Sequence, residues 1–177
     1  MKIPFRSKEK GFTLVELMVV IAIIAILTGI IITGLVSSKG KSRDAKRASD
    51  LSQIQLAIEQ YFDRCDQYPA SPLSTSASTG CPTNNNVQIT LGSFISVIPT
   101  DPLGASSPLK SANYGYVTNT TNTDYVLYTM FESSNSVLAQ SAPNPSWTPS
   151  FISGFSGCAN TATTPAGTGL GYCVRPN

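Results

Sequence analysis

The chain contains no histidine. That removes the commonest general base and the commonest metal ligand. Charge is scarce too, at 12% of 177 residues. No proline occurs between Pro4 and Pro69, and no cysteine before Cys65. No serine or cysteine nucleophile has a recognisable base, and no ligand cluster has metal-binding spacing, so the chain is not expected to be an enzyme. No cysteine directly follows the apolar run described next, so a lipoprotein anchor is not expected. Gly40-Lys41-Ser42 resembles the end of a phosphate-binding loop, but Leu35 stands where that loop needs its first glycine.

What is present begins with a basic leader, MKIPFRSKEK. Residues 11–36 follow as GFTLVELMVVIAIIAILTGIIITGLV, with Glu16 the one charge in the run. A stretch of roughly 20 apolar residues suffices to cross a bilayer. An unpaired carboxylate in the bilayer core costs about 2.5–3.5 kcal/mol. Glu16 is therefore a functional candidate in search of a partner. A secretory signal peptide would have a shorter apolar core, about 7–15 residues, with its cleavage site beyond it. Net charge is +2, but the leader carries +3 and the remaining side chains −1.

Gly11-Phe12-Thr13-Leu14-Val15-Glu16, behind a basic leader and ahead of a long apolar helix, resembles the processing site of type IV pilins and the pseudopilins of type II secretion. The resemblance implies cleavage by a prepilin peptidase between Gly11 and Phe12, on the cytoplasmic side, and N-methylation of the new terminus at Phe12. It also implies that Glu16 pairs with the Phe12 amine of a neighbouring copy and sets register during filament growth. A freed α-amine is mostly cationic at neutral pH, and Phe12 to Glu16 is about 6 Å along a helix, so the pairing is physically sound. The family often carries a proline about two-thirds along this helix; here Ile32-Thr33-Gly34 stands in that place. Glycine costs about 1 kcal/mol against alanine in a helix, so any bend or melting is expected near Gly34 to Gly40.

Ala25, Gly29 and Thr33 recur at four and form a groove that lets helices approach closely. Subunit packing and simple tolerance of small residues in lipid both account for it. Lys39, Lys41, Arg43, Lys46 and Arg47 make a basic cluster relieved by Asp44. The cluster opposes the positive-inside rule for a leader placed in the cytoplasm. A solvated or inter-subunit salt-bridged face is the expected role; anionic headgroups and DNA phosphates are the other ligands such a face attracts.

Leu51, Ile54, Ile58, Tyr61 and Phe62 recur with helical spacing, and Ala45 and Ala48 extend the stripe backward. A continuous spine from Phe12 to about Asp63 would be roughly 78 Å long. Residues 113–118 and 124–132 read as a hairpin across Asn119–Thr123, with a third strand expected at Ser136 to Ala139. The order helix, Tyr68-Pro69, Pro99-Thr100-Asp101-Pro102, then Tyr114-Gly115-Tyr116 resembles the major pseudopilin and related pilins. The tyrosines are read as packing rather than as ligand platforms. Residues 140–169 read as surface loop with a little strand at Ser150 to Phe155; in the family such Ser/Thr-rich loops also carry O-glycans.

The fold class is therefore α+β: a long amino-terminal helical spine packed against a small antiparallel β-sheet head. The expected organisation is leader 1–11, membrane or filament-core half-helix 12–36, amphipathic half-helix 37–64, and head 65–177. Cys65, Cys81, Cys158 and Cys173 all fall on the side assigned to the exterior, where disulfides persist. Three pairings are possible; the favoured one is Cys65–Cys81 with Cys158–Cys173, because each closes a short local loop worth about 3 kcal/mol. Major pseudopilins hold calcium in a loop after the sheet. Here only Asp101, Asp124 and Glu132 lie in the region, so no metal or other cofactor is expected.

The leading functional expectation is a structural subunit of a type IV pilus. Its partners would be other copies of itself, the prepilin peptidase and N-methyltransferase, and an inner-membrane platform with its ATPase. It would sit single-pass in the bacterial inner membrane before assembly and in an extracellular filament afterwards. The alternatives are a pseudopilin of a type II secretion or DNA-uptake system and, from another class, a monomeric signal-anchored surface binding domain.

Overall fold

The computed structural model describes residues 11–79, 81, 83, 84, 87–134, 136–147, 149, 151, 155, 157, 158 and 170–176. Side chains at 30–37, 83, 84, 87, 136, 139 and 170 lie outside that description. Residues 1–10 of the leader lie outside it entirely.

Thr13 precedes a 52-residue helix, α1 (Leu14–Cys65). Its helical backbone runs unbroken through Gly34 and Gly40, so the melting expected there does not occur. About 1 kcal/mol per glycine is too little to break a helix flanked by strong helix formers on both sides. Gly40 is itself buried, and a Cβ there would meet the Glu132 side chain at 3.9 Å. Compactness divides the chain between Lys39 and Gly40. At the far end Asp66 takes a left-handed backbone (φ 54°), which ends the helix, and its N–H closes a last 2.9 Å bond to the Phe62 carbonyl.

Within residues 40–177, α1 packs against a small sheet. A two-residue pair, β1 (Thr83–Asn84) and β2 (Val87–Gln88), forms a minor ribbon. The main sheet is β3 (Gly115–Thr118), β4 (Tyr125–Phe131) and β5 (Leu170–Val174), antiparallel in the order β3-β4-β5. The third strand is thus not Ser136 to Ala139. Those residues fall in a 3-10 turn, Ser136–Gln140, which buries Leu138 in the core. Phe151 and Phe155 are not in a strand; residues 150 and 152–154 lie outside the described set.

β4 is buried along its whole length, because both of its faces are covered. Alternation sends Tyr125, Leu127 and Phe131 toward α1, into a cluster with Leu51, Ile54, Ile58 and Tyr61. Val126, Tyr128 and Met130 point the other way, against Phe155 and the Cys158–Cys173 pair. Each fully buried Leu or Ile contributes about 1.5–3 kcal/mol, so the first layer holds the head on its helix and the second closes the other face of the sheet. Phe62 is only half-buried and stacks on Tyr68 at 4.4 Å. Ala45 is exposed, so it does not extend the stripe. Its expected place on the core face is taken by Asp44 and Arg47.

All seven tyrosines are buried, which fits packing rather than ligand display. Several also donate hydrogen bonds. Tyr125 and Tyr68 donate to Glu59 at 2.8 and 3.1 Å, Tyr114 to Asp50 at 2.7 Å, and Tyr116 to the Pro69 carbonyl at 2.7 Å. Burial, reinforced by the adjacent carboxylates, holds the hydroxyls of Tyr114 and Tyr125 above the usual phenol range, so they remain donors.

The disulfides are Cys65–Cys81 and Cys158–Cys173. The first ties the end of α1 to the loop that follows it. The second fastens β5 to residue 158.

Gly115 lies directly across from Tyr128, and a Cβ there would overlap the Tyr128 ring. The ring is fully buried. Gly115→Ala is expected to destabilise the head by about 1–3 kcal/mol through overpacking. A thermal melt unchanged from wild type would contradict this reading of the pair.

Candidate functional site

Gly11, Phe12 and Thr13 form an exposed, non-helical segment ahead of α1. Nothing lies within 4 Å of a Cβ placed at Gly11. Both residues that flank the Gly11–Phe12 bond are thus exposed. Glu16 has a partner within its own chain: Oε2 accepts the Thr13 N–H at 2.8 Å and the Thr13 hydroxyl at 2.8 Å. The Glu16 N–H in turn donates to the Thr13 hydroxyl at 3.2 Å. This reciprocal pair is a capping box, which satisfies donors that the first helical turn leaves orphaned. Sequence reasoning overlooked Thr13, although the signal Thr-x-x-Glu was present. The described hydrogen bonds use only Oε2, and Oε1 is open to a second donor.

Past the cap, the apolar residues from Phe12 to Leu27 are 50–90% exposed. Ala25 and Gly29 are exposed, and a Cβ at Gly29 would meet nothing within 4 Å. Thr33 has its side chain outside the described set. Among the described residues, no helix is long and apolar enough to cross a membrane.

The basic cluster does not form one surface. Arg47 is wholly buried and ion-paired to three carboxylates. Its Nε and Nη2 donate to Asp101 at 2.6 and 3.0 Å, and its Nη1 to Asp44 at 2.7 Å and Glu132 at 2.8 Å. Arg43 also grips Glu132, its Nε donating at 2.8 Å and its Nη2 pairing with the second oxygen. Asp44 accepts the N–H groups of Glu132 and Ser133 at 2.9 and 3.0 Å. Lys46 pairs with Asp50 at 3.2 Å while staying exposed. Of the face expected to be solvated or salt-bridged between subunits, Arg47 turns inward and the half-buried Arg43 pairs with Glu132 of its own chain, while Lys39, Lys41 and Lys46 are exposed. The network joins α1 to the Pro99–Pro102 segment and to the end of β4.

Arginines meet all three carboxylates considered for calcium, while Oδ1 of Asp124 is buried without a hydrogen-bond partner among the described residues. Asp101 and Glu132 face arginines. Asp124 accepts from Trp147 at 2.6 Å and Arg175 at 2.8 Å.

Hydrogen bonds from Arg43, then those from Arg47, hold the Glu132 carboxyl at about 2, below the ordinary 4.5. A carboxylate with a lowered folded value adds stability that is complete above its unfolded value and fades as pH falls toward the folded one. The melting temperature is therefore expected to fall between pH 4.5 and 2, and Glu132→Gln to flatten part of that fall. An identical pH profile in the variant would contradict this role.

A long helix laid on a small antiparallel sheet, with a capped acid at the helix start, is the pilin architecture. Residues 6–32 match the family described as the prokaryotic N-terminal methylation motif. The chain is 30% identical over 107 residues to type II secretion system core protein G of Klebsiella pneumoniae, covering 59% of this chain and 76% of that one. To the protein of the same name from Vibrio cholerae it is 32% identical, covering 55% and 67%. Type IV major pilin protein PilA of Myxococcus xanthus is 34% identical over 64 residues, covering 36% of this chain and 29% of PilA. No solved structure matches. The chain belongs to the type IV pilin and type II secretion pseudopilin family.

Proposed function

We propose that this protein is a structural subunit of a type IV pilus. The observation that carries the proposal is the capped helix start followed by apolar side chains, Phe12 to Leu27, that are half or more exposed. Apolar surface left to water costs about 25 cal/mol per Å², so these side chains need lipid or other copies around them. In this reading the leader is removed between Gly11 and Phe12 and Phe12 is N-methylated. Residues 12–36 then rest in the inner membrane until a platform and its ATPase pass the subunit into the filament. Glu16 meets the Phe12 amine of a neighbour through Oε1. The arginine network and the two disulfides keep the head on its spine as the subunit moves.

A pseudopilin of a secretion system is the second reading, favoured by the larger share of chain aligned with core protein G than with PilA. Deleting the gene separates the two. Loss of long surface filaments, with export of enzymes intact, supports the pilus; retained filaments and failed export support the pseudopilin. A monomeric surface domain predicts that neither changes.

A further inference from the structure

The sheet order β3-β4-β5 leaves β3 at an edge. An edge strand turns every second N–H and C=O away from its one partner. The Asn119 N–H donates to the Asp124 carbonyl at 3.0 Å, and the pairing runs regularly from there to Gly115 opposite Tyr128. Alternation from that bond turns Gly115 and Val117 toward β4 and Tyr116 away from it. The Tyr116 carbonyl accordingly accepts the Ser71 hydroxyl at 3.0 Å. The Tyr116 N–H points to the same side, and no hydrogen bond among the described residues uses it. Tyr116 is only 5% exposed. A buried backbone N–H is nearly always paired, so this donor calls for an acceptor.

That side of β3 borders a cavity of about 330 Å³, which Ser71 and Tyr116 both line. Sites for small molecules run from about 300 to 1,000 Å³, so this one suits a single small ring. Ile54, Leu73 and Val117 make its walls apolar. Tyr114 and Tyr116 present ring carbon to it, because their hydroxyls are tied to Asp50 and to the Pro69 carbonyl. Asn113 is exposed on the lining, and no hydrogen bond among the described residues uses its side-chain amide. Among the described residues, no charged side chain lines the cavity.

These features select the occupant. An ion would lose its hydration and meet no counter-charge. A whole added strand has no place, since Ser71 already meets the Tyr116 carbonyl and the Thr100–Asn113 bridge closes the edge beyond. What fits is a neutral molecule with one acceptor beside an apolar group, and with hydroxyls for the Asn113 amide. An acetamido group supplies the carbonyl and the methyl together, and a sugar ring supplies the hydroxyls. We propose that this cavity binds a neutral acetamido sugar, with the acetamido carbonyl accepting the Tyr116 N–H and the methyl against the apolar walls. All the lining residues lie within 40–177 and none at the helix start, so the proposal does not rest on the filament reading.

Saturation-transfer NMR on the full chain, in a detergent without a sugar headgroup, tests this with methyl N-acetylglucosaminide as the probe. The acetyl methyl is expected to carry the strongest signal and to saturate in the millimolar range, as a ligand of this size does. Methyl glucoside lacks the acetamido group and leaves the N–H unmet, so it should bind about tenfold more weakly. Asn113→Trp, at an exposed position, should close the cavity and abolish the signal with the melting temperature unchanged. If that variant melts lower, Asn113→Ala decides instead, and it should weaken binding several-fold. No saturable signal would mean that water alone meets the N–H, and would overturn the proposal. Equal binding of the two glycosides would overturn it too, as would affinity unchanged in the deciding Asn113 variant. The gene deletion described above tests the filament reading separately, so either idea can fail without the other.

Discussion

Arg47→Met is expected to cost the head about 3–5 kcal/mol, because it leaves buried carboxylates without their cation. Asp101 loses a two-pronged partner and Asp44 its only ion pair among the described residues, and both are buried, at 5% and 0% residue exposure. Glu132 keeps Arg43, so the loss there is partial. Thermal melts of the full chain in detergent should show a midpoint lower by roughly 10–20 °C. Arg47→Lys should fall between, since one ammonium cannot reproduce a planar fork that reaches three carboxylates. Asp101→Asn should cost less than Arg47→Met, because it leaves one cation with two remaining acids. A midpoint shift of only a degree or two in Arg47→Met would show that the network is not holding the head.

Glu16→Ala is expected to abolish filaments while the chain is still processed and retained in the membrane. The capping box complicates that experiment, because alanine removes both the cap and the charge. Two further variants separate them. Glu16→Gln keeps an oxygen that can accept from Thr13 but has no charge for a neighbour's amine. Thr13→Val removes the side-chain cap, at about 0.5–2 kcal/mol of local helix stability, and leaves the carboxylate. If Glu16 acts by pairing, Glu16→Gln fails like alanine and Thr13→Val still assembles. If Glu16 acts only as a cap, Glu16→Gln assembles nearly as well as wild type. Electron microscopy of sheared fractions reads the outcome.

The spine was legible because its signals are local. The apolar stripe Leu51, Ile54, Ile58 and Tyr61 repeats within a few turns, and all four residues are buried. Arg47 lies on the same stripe, one step below Leu51, but its partners Asp101 and Glu132 are 54 and 85 residues away. A cation whose acids lie that far off in sequence reads as surface. The third strand was misplaced for the same reason. Ser136 to Ala139 was the nearest candidate after β4, whereas the strand that pairs with Phe131 begins at Leu170. Loop-closure cost grows only slowly with length, so proximity in sequence is weak grounds for choosing a strand partner. Glu16 shows a different failure. The resemblance around Gly11 and Phe12 drew attention to a neighbour's amine, and the cap three residues away went unread. The site's address was visible, but its internal chemistry needed the folded helix start.

The central claim is that this chain is cut at one bond and then polymerises. The most direct measurement is intact mass with amino-terminal sequencing of protein sheared from whole cells. The account predicts a chain that begins at N-methylated Phe12 and is recovered in filaments. A chain that still begins at Met1 and is found only in membranes would contradict it.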